Sequence, residues 1–107
     1  MDSQLKRGML EACVLTVLSR GDSYGYQIVK DIGACIEVSE STLYPILRRL
    51  EAGGSLRVYT REHTGRLRKY YAITPEGEAQ LARLRREWSQ VLRVYAFIME
   101  GTEGERD

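Results

Sequence analysis

Histidine occurs once and cysteine twice in these 107 residues, and that scarcity closes off most metal and nucleophile chemistry. Cys13 and Cys35 stand too far apart for a CxxC redox or zinc motif, and His63 alone cannot complete a usual Cys/His zinc set. In a reducing compartment Cys13 reads as a small core residue and Cys35 as an incidental thiol, with a redox link between them left open until their separation is known. No nucleophile has a base within reach, and no glycine-rich loop could cradle a phosphate, so the chain is read as a non-enzyme with no catalytic residues, metal or cofactor. No apolar run approaches the roughly 18–20 residues that cross a bilayer. The opening MDSQLKRGML also lacks signal-peptide architecture, so a cytoplasmic protein without a membrane partner is expected. Strong charge of one sign is missing too. The net charge is +1 and the pI about 7.8, where a DNA binder is more simply expected above about 9.

What is present is the ordinary composition of a soluble domain, 43% hydrophobic and 29% charged. The length suits one domain with a modest core. The charge is unevenly placed: Arg57, Arg61, Arg66, Arg68 and Lys69 face Glu62 alone within 55–71, while four acids outweigh Arg106 within 100–107. A local positive field of this kind can hold a phosphate backbone while the acidic end lies elsewhere.

Leu5, Met9, Leu10, Cys13, Val14, Val17 and Leu18 form a helical stripe, with Ser3 as N-cap and Gly21 as the stop. Tyr24 to Ile32 reads as a short second helix with Ile28, Val29 and Ile32 inward, ended by Gly33. The third segment, SESTLYPILRRL, starts at Ser39–Ser41. Its Leu43, Ile46, Leu47 and Leu50 recur at i, i+3, i+4, i+7 and bury one face. The opposite face is Ser41, Pro45 and Arg48, flanked by Thr42, Tyr44 and Arg49, side chains rich in donors for base edges and phosphates. Pro45 removes a backbone donor and disfavours helical geometry at Tyr44, so a small kink is expected there. Two helices joined by a short turn, the second polar on its outer face, form a helix-turn-helix.

Gly53 and Gly54 stop the third helix. Leu56 to Arg61 and Leu67 to Ile73 then alternate apolar and polar residues, and Glu62 to Arg66 reads as the hairpin loop between them. A hairpin directly after a recognition helix is a wing, and Arg66, Arg68 and Lys69 lie at its tip. Thr74, Pro75 and Glu76 give a cap, a proline at the first helical position and an acid in the first turn. The last helix carries Leu81, Leu84, Trp88, Val91, Tyr95 and Ile98 at heptad spacing, with Leu92 beside the seam and charges on its flanks. So narrow a stripe needs a partner. The first helix of the same chain is one candidate, but it must also cover the helix-turn-helix, which favours a second copy of the chain.

Taken together, these pieces resemble the PadR family of bacterial transcriptional regulators. The resemblance is carried by Leu5, Arg7 and Gly8, by Tyr24-Gly25-Tyr26, and by Ser39-Glu40-Ser41-Thr42-Leu43-Tyr44-Pro45. Leu50-Glu51, Gly54 and Leu56, then Arg68-Lys69-Tyr70-Tyr71, Thr74 and Glu76-Gly77 continue it. It implies a dimeric repressor of the short type, its C-terminal helix swapped against the partner's N-terminal region. The fold expected is mostly α with a small β-hairpin: a winged helix-turn-helix over 1–74, a dimerisation helix over 75–100 and a flexible acidic tail over 101–107. The expected partner is double-stranded DNA, a palindrome met by Tyr24, Ser39, Ser41, Thr42, Tyr44, Pro45, Arg48, Arg49, Arg66, Arg68 and Lys69. A homodimer is expected through Leu5, Met9, Leu81, Leu84, Trp88, Val91, Leu92, Tyr95 and Ile98. Trp88 is the candidate contact for a small hydrophobic effector, with ordinary interface packing as its other reading. The near-neutral charge keeps one alternative alive, a winged-helix dimer that binds proteins and has lost DNA binding.

Overall fold

The structure, a computed structural model, describes residues 2–103. Its elements run α1 (Ser3–Ser19), β1 (Ser23–Tyr24), α2 (Gly25–Gly33), α3 (Glu40–Ala52), β2 (Leu56–His63), β3 (Arg66–Ile73) and α4 (Pro75–Glu103). The α1 cap is Asp2 rather than Ser3. The Asp2 carboxylate accepts from the backbone N–H groups of Gln4 and Leu5 at 3.1 and 3.0 Å, which quenches two donors that the first turn leaves free.

One core holds α1, α2, α3 and the sheet together. Leu10, Val14, Leu15 and Leu18 of α1 meet Ile28 and Ile32 of α2 and Leu43, Ile46, Leu47 and Leu50 of α3. Leu15, outside the expected α1 stripe, is fully buried, whereas Leu5 is exposed and Met9 half-buried. The buried side of α1 is thus rotated toward the helix-turn-helix, and the Leu5 end projects beyond it. Cys13 and Cys35 are free thiols, Cys13 half-buried and Cys35 exposed. Burial, and then the nearby Cys35, push the Cys13 thiol above its ordinary value.

The sheet is larger than the expected hairpin. Ser23 and Tyr24 form a third strand, giving the antiparallel order β1-β3-β2, with Tyr24 opposite Tyr70 and Tyr70 opposite Tyr59. The hairpin loop is also shorter than expected, since β2 and β3 stay paired out to His63 and Arg66. Thr64 and Gly65 make a two-residue turn with φ of 50° and 83°. Positive φ at both central residues is what a type I′ turn requires, and its twist matches that of the strands.

A knot of hydrogen bonds sets where α4 leaves the wing. The Thr74 hydroxyl donates to the Gly54 carbonyl at 2.6 Å and accepts from the Gly77 N–H at 3.0 Å, and the Thr74 N–H donates to the Ser55 carbonyl at 3.0 Å. The Ser55 hydroxyl is itself hydrogen-bonded to the Gln80 side chain. Gly77 makes this approach feasible, because a Cβ there would collide with the Ser55 carbonyl and come within 2.7 Å of Ile73 Cγ1. From that knot α4 runs unbroken to Glu103, past the expected end at residue 100, and stretches the molecule to 68 Å along its longest axis. The rest of the expected tail, 104–107, lies outside the described residues. Among the described residues no helix is long and apolar enough to cross a membrane.

Gly77→Ala is expected to lower stability by about 1–3 kcal/mol, because backbone rather than a flexible side chain must yield. Gly33→Ala, where nothing lies within 4 Å, is expected to stay within about 0.5 kcal/mol of the parent. Thermal melts of the two variants followed by circular dichroism check this; equal melting temperatures would remove the close-approach argument.

Candidate nucleic-acid interface

The inner stripe of α3 is buried throughout, Leu43, Ile46, Leu47 and Leu50 all at 4% exposure or less. That orientation turns Ser41, Thr42, Pro45, Arg48 and Arg49 to the outside. At the helix start the Ser39 hydroxyl accepts from the Thr42 N–H at 3.2 Å and also lies 3.0 Å from the Ser41 hydroxyl. Ser39 is therefore the N-cap, while Ser41 and Thr42 carry exposed hydroxyls on the first turn. The helix continues through Pro45, whose ring nitrogen cannot donate to the Ser41 carbonyl, on the exposed side where water can serve that group instead.

Tyr44 is less free than its sequence position suggests. Its ring lies against the backbone of Gly25, where an added Cβ would come within 3.0 Å of the phenol oxygen. Gly25 thereby lets α3 close on the start of α2. Arg49 turns the other way: its guanidinium bonds the Glu11 carboxylate on α1, with Nε at 3.1 Å, forming the one ion pair among the described residues.

Between the first turn of α3, the start of α2 and the stretch of β3 beyond its short pairing with β1 opens a cleft of about 450 Å³. Arg66, Arg68 and Lys69 line its wing side, Tyr24 and Tyr44 its helix side, and Glu40 also lines it. Tyr71 is buried beneath. Its burial, with the neighbouring Tyr44 phenol and the Glu51 carboxylate, pushes its own phenol above the usual value, while Arg48 pulls the other way. The Arg68 guanidinium lies 3.8 Å from the Tyr24 ring centroid and reaches the Tyr70 hydroxyl at 3.4 Å. Arg68 is thus half-buried and held between two rings, whereas Arg66 and Lys69 are exposed.

The structure gathers Tyr24, Tyr44, Arg66, Arg68 and Lys69 around one cleft, with the exposed hydroxyls of Ser41 and Thr42 on the adjoining helix turn. It leaves Arg49 apart. A family model described as "Transcriptional regulator PadR-like family" matches residues 14–83, which spans α2, α3 and the wing. The chain belongs to the PadR-like family of transcriptional regulators. It is 44% identical to a Streptococcus mutans protein of known structure, with a TM-score of 0.83 and 94% of each chain covered. A PadR-like transcriptional regulator from Bacillus cereus superposes with a TM-score of 0.83 at 30% identity, over 96% of this chain and 100% of that one. A transcriptional regulator from Mycobacterium tuberculosis is 46% identical over 56 residues, 52% of each chain.

Within this PadR-family chain three contributors escape a reading of the sequence: Gly25 as the seat of Tyr44, Glu40 inside the cleft, and Tyr70 as the support of Arg68. The last is legible in principle, since strand alternation places Arg68 and Tyr70 on one face. Ser39→Ala is expected to cost about 1 kcal/mol through removal of the cap, and the readouts are a chemical-denaturation midpoint and the helical signal. A midpoint unchanged from the parent would mean that another group caps α3.

Proposed function

We propose that the protein is a cytoplasmic, sequence-specific repressor that binds a palindromic operator as a homodimer. The carrying observation is the juxtaposition of an exposed hydroxyl-bearing first turn on α3 with wing cations across an open cleft. In this reading α3 enters the major groove, where Ser41 and Thr42 meet base edges, Pro45 gives apolar contact, and Tyr44 follows the groove wall. Glu40, which repels phosphate, accepts from the amino group of a cytosine. Arg48 and the wing residues Arg66, Arg68 and Lys69 hold phosphates, and Tyr24 orients Arg68. Arg49 exchanges its bond to Glu11 for a phosphate only if the duplex reaches that side. Ser39 acts indirectly, by fixing the first turn.

Pairing is proposed through α4. Leu81 is buried and Leu84 and Trp88 half-buried against the same chain. Farther along, Val91, Leu92, Val94, Tyr95, Phe97 and Ile98 are 49–74% exposed. Fully covering an exposed large apolar side chain is worth about 1.5–3 kcal/mol, so covering the exposed part of these side chains on both helices gains an amount of the same order as the roughly 4–15 kcal/mol cost of association. Leu5 and Met9, at the projecting end of α1, join this surface from the partner. Trp88, at the point where own-chain packing gives way to exposure, is the proposed contact of a small hydrophobic effector. Residues 2–74 thus read and α4 pairs.

An electrophoretic shift on the DNA upstream of the chain's own gene tests the reading. Retardation should depend on sequence, and log affinity should fall linearly with log salt. No sequence-dependent retardation would return the chain to a protein-binding role. Ser41→Ala with Thr42→Ala should narrow the gap between operator and random duplex, by about 1–3 kcal/mol for each base edge no longer read. Arg68→Gln with Lys69→Gln should instead weaken all duplexes and reduce the salt slope by roughly one per phosphate released. A wing variant that changed base preference alone would reverse this division.

Trp88→Asp should give a monomer in sedimentation velocity, since a carboxylate there meets apolar surface. A surviving dimer would remove the α4 seam as the interface.

A further inference from the structure

The strand register assembles a second set of side chains on the sheet face turned away from the core. Tyr24, Tyr70 and Tyr59 stand in one cross-strand row. Tyr59 and Tyr70 stack with centroids 5.6 Å apart and planes 13° from parallel, and Tyr24 meets Tyr70 edge-on at 5.7 Å. Side chains alternate faces along a strand, so Arg57, Arg61, Arg66 and Arg68 share this face while Glu62 and Lys69 take the other. Arg57 lies 5.5 Å from the Tyr59 centroid and Arg61 lies 5.1 Å from that of Tyr70. None of the four guanidinium groups has a carboxylate partner among the described residues. Asp22 does reach the row, but its carboxylate accepts the Tyr59 hydroxyl at 2.6 Å, which ties the wing to the turn before α2.

Unpaired like charges gathered on one small sheet repel one another, and an anion placed opposite them relieves that repulsion. The rings limit the freedom of the guanidinium groups, whose planar forks match phosphate oxygens. Arg57 and Arg61 are four residues apart on β2, about 14 Å along the strand, comparable to the rise of about four phosphates on one DNA strand. The face is also continuous with the cleft, because Arg66 and Arg68 belong to both. We propose that Arg57 and Arg61, seated on the tyrosine row, form a second phosphate-binding surface that takes the backbone of duplex DNA flanking the segment read by α3. This rests on the DNA-binding reading above.

The probe is a duplex selected by the parent protein from a random pool, either trimmed to the base pairs that selection fixes or extended by about one helical turn at each end. Arg57→Gln with Arg61→Gln should weaken binding to the extended duplex by about tenfold and reduce its salt slope by roughly two, leaving the trimmed duplex unaffected. An unchanged affinity and slope on the extended duplex would overturn the proposal, as would an equal loss on both. If the parent protein selects no sequence from the pool, the DNA-binding reading fails first and this surface goes with it.

Discussion

Burial of the inner stripe of α3 is the constraint from which the rest of the molecule follows. Leu43, Ile46, Leu47 and Leu50 are sealed against α1, α2 and the sheet, and at about 1.5–3 kcal/mol each their burial outweighs the roughly 3 kcal/mol that a proline inside a helix costs. The helix therefore tolerates Pro45 and cannot roll about its own axis. With the roll fixed, the hydroxyls of Ser41 and Thr42 must face outward. Tyr44 must lean on Gly25, and Arg49 must reach Glu11 across 38 residues of sequence.

The wing is held to this body at two places with different chemistry. At its base, the bonds among Gly54, Ser55, Thr74 and Gly77 lock the end of α3, the hairpin and the start of α4 into one unit. At mid-height, Tyr59 reaches Asp22 and Tyr70 packs on Tyr24. Because the first junction also launches α4, a change in how two α4 helices pack would be passed to the wing and α3 as a rigid-body displacement. That would be the physical route by which the proposed apolar ligand beside Trp88 alters the spacing of the two proposed reading heads, without any change inside either one.

Much of this is legible in the sequence because it is periodic. The i, i+3, i+4, i+7 recurrence in α3, the cap and proline opening α4, and the alternation in β2 and β3 are local signals, and they outline both the cleft and the wing. What stays hidden depends on partners distant in sequence. Ser23 and Tyr24 are too few to show a strand period, and they become β1 only through pairing with β3. Thr64 gives no hint of the positive φ it adopts, so the residues alone make the hairpin loop look longer than it is. Arg66, Arg68 and Lys69 look like one basic run, but alternation separates Lys69 from the other two and unites them with Arg57 and Arg61. Only the register, fixed by the turn, makes this visible.

The proposed pairing would hold two α3 helices at the spacing of successive major grooves. Pulsed electron spin resonance measures that spacing directly, with nitroxide labels at Glu51→Cys in a Cys13→Ser, Cys35→Ser background bound to operator duplex. One dominant distance of about 30–40 Å between the labels is expected, set by the roughly 34 Å helical repeat. A distance below about 20 Å, or no distance between protomers at all, would contradict the groove-spacing claim.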